Sequence, residues 1–263
     1  MVRCALNERL SKTRVLTLGV HHTVNTEGEQ VNYIPICPTV SVHLSYQPEL
    51  VLPALIETEI DALWTKAEAE SQVFNAPLFC LISHDYERIF GRFSEYRHFI
   101  ASRSNPELRE VLGIYPLSVS GITRCGDKIL VGRRDAKLAL YPGFLELVPS
   151  GSIETRVCQH GEVDFIMQLM WELEEEAHIA EKQVGRIFPI GLFYCSESGI
   201  YDLVMSIDCT MQEYELKEYE SSSEYPLLRW MSVDEWEEEL KSPDANIVPV
   251  SRAAWQVFRE LEF

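Results

Sequence analysis

Three glutamates in the second half of the chain are spaced so that they could hold a divalent cation. Glu172, Glu175 and Glu176 stand at positions i, i+3 and i+4, which share one face of an α-helix. Like charges at this spacing repel by roughly 0.2–0.5 kcal/mol per pair. No lysine or arginine occurs within positions 161–181 to offset that repulsion. Mg²⁺ takes oxygen ligands, so the sequence indicates either a cation site or a solvated acidic face.

The residues around these glutamates resemble the Nudix box. That box opens with Gly-Gly-x-x-Glu and continues into a helix with the pattern Arg-Glu-apolar-x-Glu-Glu-x-Gly-apolar. Residues 151–154 resemble the opening, and Gly161-Glu162 resembles the pair that precedes the helix. The positions that match the helical part are Glu172, Leu173, Glu175, Glu176 and Ile179.

The chain departs from the Nudix pattern at three places. Trp171 stands where the family has the arginine that holds a neighbouring carboxylate, and His178 replaces the glycine that ends the helix. Residues 155–160 lengthen the connection between the opening and the helix. Loss of the arginine should lower activity, but it leaves all three candidate metal ligands in place.

The resemblance implies a Nudix α/β/α sandwich with a mixed sheet and a hydrolase that depends on Mg²⁺ or Mn²⁺. Such an enzyme cleaves a diphosphate linked to another moiety. Glu172, Glu175 and Glu176 would be catalytic and would bind the metal, and Gly151 and Glu162 would supply further ligands. The cations would bind the diphosphate oxygens, neutralise developing charge and orient or deprotonate the attacking water.

Other residues are candidates for substrate binding and for the general base. Arg133 and Arg134 are neighbours on a predicted strand, so at most one faces the site, where it could hold a phosphate. Trp171 could stack on a nucleobase, although a packed aromatic is the alternative. In many Nudix enzymes a glutamate in the loop before a late strand assists catalysis, and Glu224 is our candidate. That loop holds Glu213, Glu215, Glu218, Glu220 and Glu224.

A second resemblance concerns the substrate. Residues 73–79 and 93–97 are similar to the N-terminal domain of an animal-type Nudix branch that hydrolyses UDP-glucose and UDP-galactose. It implies a UDP-hexose, while prenyl diphosphates and other nucleoside diphosphate derivatives stay open. A different class of function is also open. Because Trp171, His178 and the lengthened loop depart from the box, the chain could bind a ligand or partner without turnover.

The composition limits the partners. The net charge of −18 opposes binding to nucleic-acid backbones and anionic membranes, whereas a bound divalent cation could still attract a small phosphorylated substrate. No apolar run approaches the ~18 residues of a membrane span. The seven cysteines are scattered, and no signal peptide is recognised, so we expect a reducing cytoplasm. Nudix proteins often dimerise, which makes a homodimer a further expectation.

The chain is predicted to contain a smaller N-terminal α+β domain, 1–113, and a Nudix domain, 114–263. The apolar patterns predict strands over 14–24, 40–46, 76–83, 90–102, 117–124, 128–134, 188–195, 201–209 and 227–231. They predict helices over 52–71, 106–112, 162–177, 233–240 and 250–261. Hairpins are expected across 85–89 and across 196–199. The helix over 162–177 should turn an apolar face to the core, made of Phe165, Ile166, Leu169, Met170 and Leu173. This order of elements suits the mixed α/β class.

Overall fold

The computed structural model describes residues 22–26, 29–46, 51–70, 73–211 and 224–261. It shows a mixed α/β fold with two mixed sheets and helices packed on them, which confirms the predicted class. Most of the strand predicted over 14–24 lies outside the described residues, as do the candidate loop glutamates other than Glu224.

The larger sheet has nine strands within the described residues. Its order is β1-β2-β12-β13-β6-β7-β14, with β8 pairing β7 and β9 pairing β6. Strands β6 and β13 run parallel, and the other neighbours are antiparallel. The strands are β1 (His22–Thr26), β2 (Glu29–Ile34), β6 (Leu117–Cys125), β7 (Lys128–Arg133), β8 (Leu145–Leu147), β9 (Ser150–Ser152), β12 (Val184–Cys195), β13 (Ile200–Cys209) and β14 (Leu227–Ser232).

The smaller sheet has five strands among the described residues, in the order β10-β11-β3-β5-β4. Strands β4 and β5 form the predicted antiparallel hairpin, and β3 runs parallel to β5. Its strands are β3 (Ser41–Leu44), β4 (Pro77–His84), β5 (Arg88–Glu95), β10 (Cys158–Gln159) and β11 (Glu162–Val163). Each sheet combines strands from both sides of the predicted boundary at Gly113, because β2 pairs with β12 and β3 pairs with β11.

Six α-helices lie in the described ranges. They are α1 (Ala54–Glu70), α2 (Tyr96–Ser104), α3 (Pro106–Leu112), α4 (Phe165–Ala177), α5 (Val233–Lys241) and α6 (Pro249–Glu260). The strand predicted over 90–102 is wrong beyond Glu95, where α2 begins. The run is too short for periodicity alone to separate a strand from a buried helix, and Phe99, Ile100 and Ala101 are all buried in α2.

Helix α4 begins three residues later than predicted. Glu162 and Val163 pair with β3 as a short strand, and the Asp164 carboxylate then caps the helix by accepting from the Met167 N–H. Phe165, Leu169 and Leu173 are buried, which confirms the predicted core face of this helix. The Glu-rich face is therefore held in place by a buried apolar face on the same helix.

Helices α4 and α6 cover opposite faces of the larger sheet. On β13, Leu203 belongs to the core cluster that contains Leu169 of α4, whereas Val204 belongs to the cluster that contains Ala254 of α6. Successive side chains of a strand point to opposite faces, so this alternation produces three layers. No helix of the described residues is long and apolar enough to cross a membrane.

Candidate functional site

Two of the three glutamates are drawn against the backbone of β9. Glu176 is 3% exposed, and its Oε2 accepts from the Ser150 N–H at 3.2 Å. Its Oε1 is buried and has no hydrogen-bond partner among the described residues. Next to it, a Cβ on Gly151 would lie 2.1 Å from the Glu172 carboxyl group. Only glycine allows this approach, so the two carboxylates and the β9 backbone form one compact group.

A buried glutamine orients Glu172. Gln168 is one helical turn before it and is fully buried. The Gln168 Oε1 accepts from the Glu154 N–H at 3.0 Å, and its Nε2 donates to Glu172 Oε1 at 2.7 Å. Because both ends of the amide are used, Gln168 connects the loop before α4 to the Glu172 carboxylate. Gln168 was not among the predicted site residues, although a polar residue on the apolar face of a helix was the available signal.

The pKa values of the Glu172 and Glu176 carboxyl groups are both raised. Burial raises the pKa of Glu172 to about 7, the Gln168 hydrogen bond opposes this, and the charge of Glu175 adds to it. Burial also raises the pKa of Glu176 well above its usual range, and the charges of Glu224 and Glu172 contribute. Groups this destabilised in their charged form are candidates for a functional site.

Glu175 points away from this pair, toward an arginine that the sequence had not connected with it. Arg156 lies in the lengthened loop, and its Nη2 contacts Glu175 Oε1 at 3.4 Å. The same guanidinium pairs with Glu154 at 2.9 Å and lies 4.0 Å from the centroid of the Trp171 ring. The expectation that no positive charge is near the helix was therefore wrong. The fold brings Arg156 to the helix from before positions 161–181, and its guanidinium covers a face of Trp171.

His178 ends the helix in the conformation that glycine usually provides. Its φ is 56° and its ψ is 27°, and its N–H donates to the Glu174 carbonyl. A residue with a Cβ in the left-handed region costs about 1–2 kcal/mol. The replacement of glycine at this position thus keeps the geometry of the helix end.

Arg134 lies at the centre of a buried acidic network, whereas Arg133 is exposed and donates to the Gly143 carbonyl. Arg134 forms an ion pair with Glu146 and a second with Glu224 at 3.3 Å, and Tyr225 donates to Glu146 at 2.7 Å. Burial alone would lower the pKa of Arg134, but the two carboxylates raise it above its usual value. The two arginines do point apart, as strand geometry predicted.

Glu162 lies on β11 in the smaller sheet and is exposed, and its strand partners are His43 and Gln159. Glu224 is partly buried, and burial raises its pKa while Arg134 opposes the rise. Its charge also raises the pKa of both Glu172 and Glu176, which places Glu224 electrostatically within the same group. Among the predicted residues, Glu172, Glu176, Gly151, Glu224 and Arg134 therefore come together.

A cavity of about 260 Å³ adjoins this group. Ser150 and Gly151 line it, together with Arg134, Glu146 and Glu224, and it continues to Asp202 on β13. Glu146 and Asp202 were not among the predicted site residues. Glu146 is an acidic residue between two leucines in Leu145–Leu147, and Asp202 interrupts the apolar first part of Ile200–Cys209, which was the signal that could have found them.

Two of the residues present, Glu172 and Glu176, have the chemistry to hold a hard divalent cation. Within the described residues, no group of three or more His, Cys, Asp or Glu side chains is arranged to hold a metal ion. However, the buried Glu176 and the partly buried Glu172 carry carboxylates that repel each other, and one oxygen of Glu176 has no hydrogen-bond partner among the described residues. Carboxylate oxygens are what Mg²⁺ and Mn²⁺ prefer. For Glu175 to join them, it would have to leave Arg156.

Comparison with known proteins gives structural likenesses only. No protein-family model and no curated protein sequence matches the chain. A NUDIX hydrolase from Nitrosomonas europaea is similar in structure, with 15% identity and a TM-score of 0.41 over 55% of this chain and 88% of that one. A NUDIX-family hydrolase from Clostridium perfringens has 18% identity and a TM-score of 0.39, covering 55% and 97%. A pyrophosphohydrolase from Bacillus subtilis has 14% identity and a TM-score of 0.37, covering 56% and 82%.

Proposed function

We propose that this protein is a Nudix-type hydrolase that uses Mg²⁺ or Mn²⁺ to cleave a diphosphate linked to another moiety. The observation that carries the proposal is the pair of buried Glu176 and partly buried Glu172, packed against Ser150 and Gly151 with an unpartnered oxygen on Glu176. Neighbouring charges of the same sign that are withdrawn from water are costly unless a cation or a proton compensates them. The degenerate Nudix box supports the same assignment from the sequence.

In this proposal each residue has a distinct task. Glu172 and Glu176 would hold the cation, and Gln168 keeps the Glu172 carboxylate oriented through its two hydrogen bonds. A bound cation would supply charge neutralisation at the diphosphate oxygens. Glu224 is a candidate to accept the proton of the attacking water, because burial raises its pKa toward the range of a general base. Arg134 holds Glu224 and Glu146 in position.

Arg156 is our candidate for the role of the arginine that Trp171 replaces. It reaches Glu154 and Glu175 from the loop side and rests on the Trp171 ring. The lengthened loop and the missing arginine would then be two parts of one rearrangement. A UDP-hexose is the substrate that we would test first, and a cytoplasmic location, inferred from the scattered cysteines, belongs to the same proposal.

The test is a hydrolysis assay with UDP-glucose, ADP-ribose, NADH and farnesyl diphosphate in the presence of Mg²⁺ or Mn²⁺. Hydrolysis is measured as the phosphate that is released when the reaction is coupled to a phosphatase. We expect turnover of at least one compound by the wild-type protein and loss of about a hundredfold or more in Glu176→Gln. Glu174→Gln is the matched control, because it removes the same charge from an exposed position of the same helix. Turnover that survives in Glu176→Gln would contradict the proposed site.

A binding protein without turnover is the second candidate. The observation that favours it is the position of Glu175, which pairs with Arg156 instead of joining the other two glutamates. If cations raise the affinity for these diphosphates while none is hydrolysed, this candidate replaces the first. Strong activation by Trp171→Arg would instead identify an impaired enzyme.

A further inference from the structure

The larger sheet gives the cavity a floor that contains one buried acid and several hydroxyl groups. Asp202 is 8% exposed, and Ser120 Oγ donates to its Oδ1 at 2.9 Å. On the parallel neighbour β6, Ser118 stands opposite Asp202. On β9, Ser150 and Ser152 stand opposite Ser120 and Ser118. Strand pairing therefore gathers one carboxyl group and four hydroxyl groups on one face of the sheet.

A large part of the remaining cavity lining is apolar and partly aromatic. It includes Leu78, Tyr96, Phe99, Leu140, Tyr141 and Ile200. Several of these residues come from elements that precede β6, so the early part of the chain closes the cavity over the sheet. A cavity with a few convergent polar groups and an apolar wall is the usual form of a site for a small organic moiety.

The charge of the cavity lining disfavours an anionic group beside Asp202. Among the described residues that line the cavity, the acids are Asp202, Glu146 and Glu224, and the one cation is Arg134. Arg134 is already paired with Glu146 and Glu224. A phosphate placed beside Asp202 would meet a lining of three acids and one arginine that is already paired, whereas a neutral group with hydrogen-bond donors would be stabilised.

The size of the cavity and the hydrogen-bond acceptors of Asp202 narrow further the kind of ligand that the cavity can hold. A volume of about 260 Å³ is below the ~300–1,000 Å³ of common ligand sites, so it suits one ring better than two. A carboxylate has about four lone-pair sites, and Ser120 uses one of them. Asp202 can therefore still accept from two neighbouring hydroxyl groups of a ligand.

We propose that this cavity binds an uncharged, hydroxyl-bearing ring, a pentose or hexose attached to the diphosphate, and that Asp202 accepts hydrogen bonds from its hydroxyl groups. The inference rests on the proposed function, because Ser150 and Gly151 line the cavity and also contact Glu176 and Glu172. The diphosphate would lie beside Glu172 and Glu176, and the ring would lie beside Asp202. Asp202 is thus a specificity-determining residue for the moiety beyond the diphosphate.

The test compares ligands that carry the same charge with and without the ring. Calorimetry with Ca²⁺ in place of Mg²⁺, so that a hard cation is present but the ligands are not turned over, measures the affinity for UDP-glucose against UDP methyl ester, and for ADP-ribose against ADP methyl ester. We expect the wild-type protein to prefer the ring in at least one pair by about tenfold or more, as hydrogen bonds to a charged acceptor allow. Asp202→Asn should reduce that preference to about twofold or less.

Asp208→Asn is the matched control, because it makes the same substitution on β13 at a residue whose partners are Arg124 and Arg186 outside the cavity. It should keep the wild-type preference. Ser120→Ala removes the hydroxyl donor that orients Asp202 and should lower the preference for the ring several-fold. This variant replaces Asp202→Asn in the test if Asp202→Asn does not fold. Equal wild-type affinity within both pairs, or a preference that survives in Asp202→Asn, would overturn the inference. Because this test measures binding, its result is separate from that of the hydrolysis assay.

Discussion

At the scale of single residues, Glu176 combines high burial with an unpartnered oxygen, which should make it destabilising until a cation binds. We expect Glu176→Gln to stabilise the metal-free protein at neutral pH by roughly 1–3 kcal/mol, because it removes a buried charge and can keep the Ser150 hydrogen bond. The same variant should lose most of the rise in melting temperature that millimolar Mg²⁺ or Mn²⁺ gives the wild type. Differential scanning calorimetry with and without metal measures both effects.

Glu174→Gln serves as the comparison for this prediction, since its exposed carboxylate lies on the same helix. Its metal-free stability and its response to metal should match the wild type within about 0.5 kcal/mol. A metal-free Glu176→Gln protein that is markedly less stable than the wild type would mean that the carboxylate is compensated by something other than a bound cation.

Asp202 gives a prediction about pH. Burial raises its pKa to about 7, Ser120 opposes the shift, Glu146 adds to it and Arg134 lowers it. An acid whose pKa is raised in the folded state contributes stability that is fully present below its unfolded pKa of about 3.9 and is lost as pH rises through 7. We expect Asp202→Asn to match the wild type near pH 4.5 and to exceed its melting temperature increasingly up to pH 8. Thermal unfolding of both proteins across this range measures the difference.

The full effect of this titration is at most about 4 kcal/mol, from a shift of about three pKa units. Asp208→Asn is again the control, because Arg124 and Arg186 already compensate the Asp208 charge. Its difference from the wild type should not grow between pH 4.5 and 8. A difference between wild type and Asp202→Asn that is independent of pH would show that Asp202 does not titrate in this window.

At the scale of elements, the loop of 155–160 and helix α4 act together through Arg156. Its side chain and that of Glu175 are both about half exposed or more, so the ion pair adds well under 1 kcal/mol to stability. We nevertheless expect Arg156→Ala to lower kcat by about tenfold, because residues that position metal ligands typically matter to this extent. Arg156→Lys should recover only part of the loss, since lysine cannot stack and pair in the same way.

The measurement is steady-state kinetics on whichever diphosphate the wild type hydrolyses, together with the melting temperature. Arg186→Ala is the matched control, because Arg186 is an exposed arginine whose ion pair with Asp208 lies on another strand pair. A fall in kcat with an unchanged melting temperature would support a positioning role. Equal activity of Arg156→Ala and wild type would leave Arg156 as a surface contact.

Local patterns predicted much of this architecture, and long-range pairing explains the part that they did not predict. Sequence patterns predicted the core face of α4, the β4–β5 hairpin and the β12–β13 hairpin, because each of these features depends on a short stretch of sequence. Glu172 and Glu176 could be proposed as site residues for the same reason, because they stand one turn apart on one helix. Arg156 meets Glu175 through the fold of the loop, and Asp202 meets Ser120 only because β6 and β13 lie side by side. Neither contact corresponds to a fixed spacing of residues in the sequence.

At the scale of the whole molecule, charge and topology bear on how the site works. A net charge of −18 disfavours the approach of a diphosphate, so a divalent cation in the site would be needed to reverse the local field. The early part of the chain contributes to the same site, since Leu78, Tyr96 and Phe99 form part of the cavity wall. Substrate binding is therefore expected to depend on both sides of the predicted boundary at Gly113.

That dependence leads to a prediction about a fragment that contains only residues 114–263. Removing the earlier residues would uncover the edge of β12 where Phe193 pairs with Tyr33, and would leave β11 without β3. It would also strip Phe79 and Leu81 from the core cluster that contains Leu203. An unpaired edge beside newly exposed apolar surface favours association between chains.

We therefore expect the fragment to aggregate or to melt without a cooperative transition, while the full chain unfolds in a single transition by calorimetry. Size-exclusion chromatography of the fragment alongside the full chain reports the association directly. A fragment that stays monomeric and melts cooperatively would show that the boundary at Gly113 separates two units that fold independently. In that case the β2–β12 and β3–β11 pairings would be docking contacts, and the cavity would form only when the two units meet.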